Sequence, residues 1–187
     1  MFMLIIGVVA IVLSVCLYSC YAGIIAARNQ LDEALSGIDV QLTRRADLVP
    51  NVLKIAQKFM THEEKIFTQI TKLRTEALAQ PVGTAKRFDA EEKLQKAMTQ
   101  FVAAVENYPQ LKSNDAMVKA METYQDVESE LAASRRFYNT ALRDLKNKTQ
   151  IFPGTLFASF AGNISAYTYF QAKEDKKKSV DASDYLK

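Results

Sequence analysis

Tryptophan is absent from this chain of 187 residues, histidine occurs once, cysteine twice, proline four times and glycine six times. So little proline and glycine leaves few turn signals, which argues against an architecture of short strands and tight turns. A single histidine rules out the paired Glu-x-x-His motifs of a di-iron bundle. The one candidate zinc motif also fails, because the stretch "HEEKI" places Ile66 where the second histidine of HExxH would stand. Both cysteines lie in the apolar N-terminal segment, so no thiol nucleophile is available elsewhere. There is no glycine-rich phosphate loop and no GxSxG elbow. His62 beside Glu63 and Glu64 reads as a solvated helical position rather than a general base. Carboxylate pairs such as Glu91 with Glu92, or Asp126 with Glu128, read as ordinary exposed helix faces. An enzyme is therefore not expected, and no cofactor, metal or small-molecule substrate is identified. A net charge of +3, from 24 basic and 21 acidic side chains, is too small and too evenly mixed for a nucleic-acid partner.

Charge is also missing from the start of the chain, where no charged side chain precedes Arg28. A run of that length, at about 1.5 Å per helical residue, can cross a hydrocarbon core of roughly 30 Å. Residues 1–27 are accordingly predicted to be one transmembrane helix. A cleaved signal would carry basic residues ahead of a shorter apolar stretch, and none is present. Cys16 and Cys20 read as buried apolar thiols. The sequence "LYSC" ending at Cys20 has the look of a lipoprotein processing site, but Tyr18 and the apolar run continuing beyond it argue against lipidation. Basic residues flank the span only on its C-terminal side, at Arg28, Arg44 and Arg45. That predicts a single-pass membrane protein with its N-terminus outside and its soluble part in the cytoplasm.

Ala, Leu, Lys, Glu and Gln fill the remainder, and these residues lose little rotamer freedom in a helix. An all-α protein is expected. From Leu31, alternating steps of four and three residues land on Leu35, Ile38, Leu42, Arg45, Val49, Val52, Ala56, Phe59, Glu63, Ile66, Ile70, Leu73 and Ala77. The stripe runs straight through Pro50, so one long helix kinked at that proline is predicted, ending at "AQPVGT". A second helix, capped by Thr84, carries Glu91, Leu94, Met98, Phe101, Val105 and Tyr108. A third, capped by Ser113 or Asn114, carries Met117, Met121, Tyr124, Glu128, Leu131, Arg135, Tyr138, Leu142 and Leu145. It should stop before "IFPG". A fourth segment, "TLFASFAGNISAYTYFQ", completes an up-and-down four-helix bundle over residues 28–172. Residues 173–187 form a polar tail.

Four charged residues fall within these apolar stripes: Arg45, Glu63, Glu128 and Arg135. Complementary charges can persist in such a seam and fix helix register, whereas an isolated one would be costly to desolvate. The expectation is an internal ionic network of these four. An arginine clamp for a carboxylate or phosphate is the competing reading, disfavoured by the matching number of acids. The aromatic fourth segment, with Phe157, Phe160 and Tyr167, is followed by Lys176, Lys177 and Lys178, and these residues are candidates for contact with anionic lipid. The spacing of the aromatics equally suits a core helix, and that reading is preferred.

Five motifs in order then carry a resemblance to the LemA family of bacterial proteins: "VQLTRRADLVPNVL" at 40–53, "HEEKIFTQITKLR" at 62–74, "ENYPQLKSN" at 106–114, "ESELAASRRFYN" at 128–139 and "IFP" at 151–153. The resemblance implies membrane attachment and a four-helix bundle. It implies no reaction, and the association of one branch with magnetosome membranes points to membrane organisation. The expected function is a non-enzymatic, membrane-anchored scaffold that self-associates as a homo-oligomer or organises other membrane proteins or membrane shape. The alternative is a membrane-tethered sensor of a small anionic ligand or signalling partner.

Overall fold

The structure, a computed structural model, describes residues 1–170 and is helical throughout, with no strand among them. Its frame is two long helices, α1 (Phe2–Ala56) and α5 (Asp115–Gln150), packed against each other along much of their length. Between them in sequence, α2 (Glu64–Leu78) and α3 (Ala85–Val105) form a second pair, and α4 (Pro109–Lys112) is a single turn that buries Leu111. The caps follow the sequence: the Thr84 hydroxyl accepts from the Arg87 backbone N–H at 3.2 Å, and the Asn114 side chain accepts from that of Met117 at 3.2 Å.

The first helix is long, but it does not continue to residue 80. It ends at Ala56, and residues 57–63 reverse the chain so that α2 returns alongside α1. The reversal uses no glycine or proline. Ala56 O accepts from the N–H groups of both Phe59 and Met60 at 2.9 Å, and Met60 is buried at 1 % exposure. With Phe59 and Met60 tucked into the core, apolar residues recur through the turn at helical spacing. The unbroken stripe therefore did not signify an unbroken helix.

Pro50 lies inside α1 and has no N–H to give the carbonyl four residues back, that of Ala46. Arg74 of α2 takes the vacant position: its Nε donates to Ala46 O at 2.6 Å. The proline thus exposes an acceptor on α1, and the returning helix docks an arginine on it.

The segment predicted as the fourth helix does not form an α-helix. After α5, a turn containing the cis peptide Phe152–Pro153 leads into a 3₁₀ segment at Gly154–Ala161, another at Ile164–Ala166, and extended chain to Phe170. Two glycines mark the ends of the first 3₁₀ segment. A Cβ on Gly154 would sit 1.8 Å from Lys148 O, and Gly162 ends the first 3₁₀ segment at φ +76°, where L side chains are strained. The strap runs back along α5, where Tyr138 donates to Thr168 O at 3.2 Å. Asn139 brackets Phe170, donating to its carbonyl at 2.8 Å and accepting from its N–H at 2.9 Å. The tail expected at 173–187 lies outside the described residues.

The N-terminal part of α1 is long and apolar enough to cross a membrane. Residues 1–19 are exposed, whereas from Ile24 onward the same helix contributes a buried residue every three or four positions. Within the protein Cys16 is exposed and Cys20 half-buried, both on the apolar segment.

Candidate functional site: a buried charged layer between two apolar cores

The interior consists of two apolar clusters. The distal one gathers side chains from α1 from Val49 on, the turn after it, α2, α3, α4 and the start of α5, including Phe67, Phe101, Met60 and Met98. The proximal one, nearer the apolar N-terminal segment, lies between α1 and α5 and is closed by the strap; it includes Leu31, Ile38, Leu42, Leu131 and Leu142. A layer of charge separates them.

Arg45 is the centre of that layer, fully buried and one of the largest fully buried side chains in the structure. Its Nη1 donates to Glu128 Oε1 of α5 at 2.8 Å, and its Nη2 donates to Glu91 Oε2 of α3 and, at 3.4 Å, to the Glu91 carbonyl. Glu91, 2 % exposed, also receives the charge of Arg87 one turn earlier, whose Nε lies 2.8 Å from Oε1. Arg87 is itself 3 % exposed, and its Nη1 donates to the carbonyls of Ala77 and Gln80. It thereby closes the open end of α2 against the start of α3. Gln95 Nε2 donates to the second oxygen of Glu128 at 3.2 Å. Three helices thus contribute to one network in which the buried Glu91 and the partly exposed Glu128 each face more than one donor, while the buried Nε of Arg45 has no hydrogen-bond partner among the described residues. Pairing with two acids is what allows the buried guanidinium to persist in a core.

The electrostatics agree with the geometry. Burial by itself would lower the pKa of Arg45, but Glu128 and Glu91 outweigh it and hold the guanidinium above its ordinary value. Arg135, one helical heptad after Glu128, stands at the proximal edge of the layer. Burial and the positive charge of Arg45 lower its pKa, and its buried Nε has no hydrogen-bond partner among the described residues. Its guanidinium lies over the Phe170 ring, 5.5 Å from the centroid. That ring is also held by Phe88 at 4.3 Å and Tyr138 at 5.3 Å. Burial likewise pushes the Tyr124 phenol upward, reinforced by Glu128, and carries that of Tyr138 to about 12.

Of the four residues predicted to form the network, the structure joins Arg45 and Glu128 and places Arg135 beside them. Glu63 is not a member. It precedes α2 at the far end of the distal cluster, where the Tyr108 hydroxyl donates to it at 3.3 Å. The break at 57–63 moves it away from Arg45. The acid that takes its place is Glu91, which had read as an exposed carboxylate, and the second arginine is Arg87. The signal lay in phase: Glu91 is in step with Leu94, Met98 and Phe101, while its neighbour Glu92 is not, and Arg87 precedes it by one turn.

The candidate lipid contacts divide. Phe157 and Tyr167 pack against the proximal cluster and Phe160 is half-exposed at 51 %, while Lys176, Lys177 and Lys178 lie outside the described residues. The most exposed apolar side chains near the strap are ones not singled out as lipid contacts: Phe152, followed by Ile151 and Leu156. Among the described residues, no group of three histidine, cysteine or acidic side chains is placed to hold a metal ion.

The family model described as LemA family matches residues 34–183. No curated protein matches the chain.

Proposed function

The chain belongs to the LemA family, and on that premise we propose that it is a membrane-anchored helical scaffold that self-associates or organises neighbouring membrane proteins, without catalysing a reaction. The observation that supports this reading most directly is the continuity of α1. One helix without a break provides both an apolar segment with no protein around it and the spine of the folded domain from Ile24 to Ala56. Displacement or rotation of the anchor is then transmitted to the bundle without an intervening linker. The charged layer fits the same role: a rigid, register-fixing cross-brace among α1, α3 and α5. We place the anchor in the bacterial inner membrane and the bundle on its cytoplasmic side, following the basic residues after the span.

The test is the particle mass of the full-length chain in mild detergent by light scattering. A discrete multimer beyond one chain and its micelle supports self-association; a monomer at every concentration removes it and leaves organisation of other proteins. A second reading, a sensor of a small anion, draws on Arg135, whose Nε is unpartnered among the described residues. Saturable binding of inorganic phosphate by the full-length chain, lost in Arg135→Ala, would favour it over the scaffold.

A further inference from the structure

We propose that the turn after α5, from Ile151 to Phe160, is a second membrane contact: an apolar wedge seated in the same leaflet into which α1 enters, with a lipid acyl chain in the groove between wedge and helix. The inference rests on reading residues 2–20 as membrane-spanning. It adds that the folded domain itself is immersed at one edge.

The first observation is exposure. Ile151, Phe152, Leu156 and Phe160 are 65, 77, 63 and 51 % exposed, and they lie within ten residues of one another, in the turn and the 3₁₀ segment it leads into. A turn facing water would be built from polar residues, and a cluster of this kind marks a surface that is covered in the working protein.

The second is depth. The turn abuts the last turns of the unburied part of α1. A groove of about 600 Å³ is lined on one side by Cys16, Ser19, Cys20 and Gly23 and on the other by residues that include Ile151 and Phe152. The Tyr21 ring packs edge-on against Phe160 at 5.3 Å and Phe157 at 6.1 Å. With about 20 residues needed to cross the hydrocarbon, a span beginning at Phe2 ends near Tyr21. The wedge therefore shares the level of the span's last turn and a half. If α1 is in the bilayer, the wedge has no position outside it.

The third is charge. Arg28 and Lys148 stand at the base of the wedge, and Asp144 is the only acid within residues 20–31 and 143–166. Arg28 Nη1 of α1 donates to Phe160 O at 3.3 Å, and Lys148 Nζ, just ahead of the turn at the end of α5, donates to Gly23 O of α1 at 3.3 Å. An apolar tip with the cations Arg28 and Lys148 at its base matches the order of a leaflet, hydrocarbon beneath anionic headgroups. A protein partner would need no such ordering along α1, which is why lipid is the occupant assigned.

The absence of tryptophan supplies the experiment. In Phe152→Trp, and separately in Leu156→Trp, the introduced indole is the only one in the full-length chain. Both positions are exposed, so little packing is disturbed. The variants are reconstituted into phosphatidylcholine/phosphatidylglycerol vesicles whose acyl chains carry bromine either near the glycerol or near the methyl end. Val9→Trp serves as the in-membrane reference, and Val118→Trp, at the distal end of α5, as the water reference. The expected result is blue-shifted emission at both wedge positions, quenched more by shallow bromine than by deep, and unquenched red emission in Val118→Trp. Water-like emission without quenching at both wedge positions, with Val9→Trp quenched, overturns the wedge while leaving the anchor intact. Blue-shifted emission that bromine does not quench means that a second copy covers the turn, and overturns lipid as the occupant. Loss of quenching in Val9→Trp as well overturns the anchor and the wedge together.

Discussion

The two apolar clusters are built on the same pair of helices but solve different packing problems. In the distal cluster α1 and α5 are joined by α2 and α3, and large side chains such as Phe67, Phe101, Met98 and Met117 fill the space among four elements. In the proximal cluster α1 and α5 have no other helix beside them. Ala27, Ala34 and Ala141 allow close approach there, and a strap of 3₁₀ turns and extended chain seals the remaining side. The strap can replace a helix because its backbone polar groups find partners on α5: Asn139 and Tyr138 satisfy three of them near its end. What the comparison teaches is that a bundle need not be completed by helices. Aromatic rings hung on a tethered irregular segment bury apolar surface as well, provided its amides are satisfied.

The charged layer belongs to both regions, so its disruption should have the largest effect. Arg45→Met leaves Glu91 and Glu128 facing a methyl group, and the expected cost is about 3–5 kcal/mol. Denaturant unfolding of the full-length protein in detergent measures it; a variant as stable as the parent would show that the layer contributes nothing to holding the halves together. Next come single truncations on either side of the layer. Phe101→Ala in the distal cluster should cost about 3–5 kcal/mol and Leu142→Ala in the proximal one about 2–5 kcal/mol. Since both clusters share α1 and α5, each variant is expected to shift one common transition, followed by circular dichroism and by tyrosine fluorescence. Two separate transitions would mean that the halves unfold independently.

A smaller effect probes the distal region alone. Arg74→Met strips the Ala46 carbonyl of its donor and should cost about 1–3 kcal/mol. In a Pro50→Ala background the helix regains an N–H for that carbonyl, so the same substitution should cost distinctly less. A double-mutant cycle with no coupling would refute the proline–arginine pairing. The smallest effect is on the proximal side and appears at alkaline pH. The folded Tyr138 phenol holds its proton to about pH 12, against about 10 in an unfolded chain. The unfolded state thus releases its proton first, and stability falls as pH rises from about 10. Thermal midpoints in Tyr138→Phe should decline less steeply over that interval than in the parent.

Much of this organisation was legible in one dimension. The uncharged start, the stripes of α3 and α5, the caps at Thr84 and Asn114 and the interior placement of Arg45 and Glu128 all follow from local periodicity, which is a property of neighbours along the chain. The misreadings share a different origin. Glu63 kept helical phase with Arg45, but phase along a stripe says nothing of whether the chain has turned back. The turn at 57–63 is specified by the burial of Phe59 and Met60 rather than by glycine or proline. Glu91 shares the phase of the apolar stripe and Glu92 does not, but that Glu91 rather than Glu63 meets Arg45 depends on how α3 stacks on α1. The 3-and-4 spacing in the fourth segment suited a helix, yet Gly154 has no room for a side chain because Lys148 O is there, a contact formed only once α5 has ended.

The sequence by itself therefore determined the helical class, the apolar segment at the N-terminus and which face of each long helix is buried, because helix propensity and amphipathic period act through residues close in the chain. Only the tertiary structure decided where α1 ends, which acids Arg45 meets, that Arg74 serves the carbonyl freed by Pro50, and that Ile151 and Phe152 lie beside Cys16 and Cys20. Each of these depends on groups far apart in sequence whose approach is set by how the helices stack, and no local pattern records that.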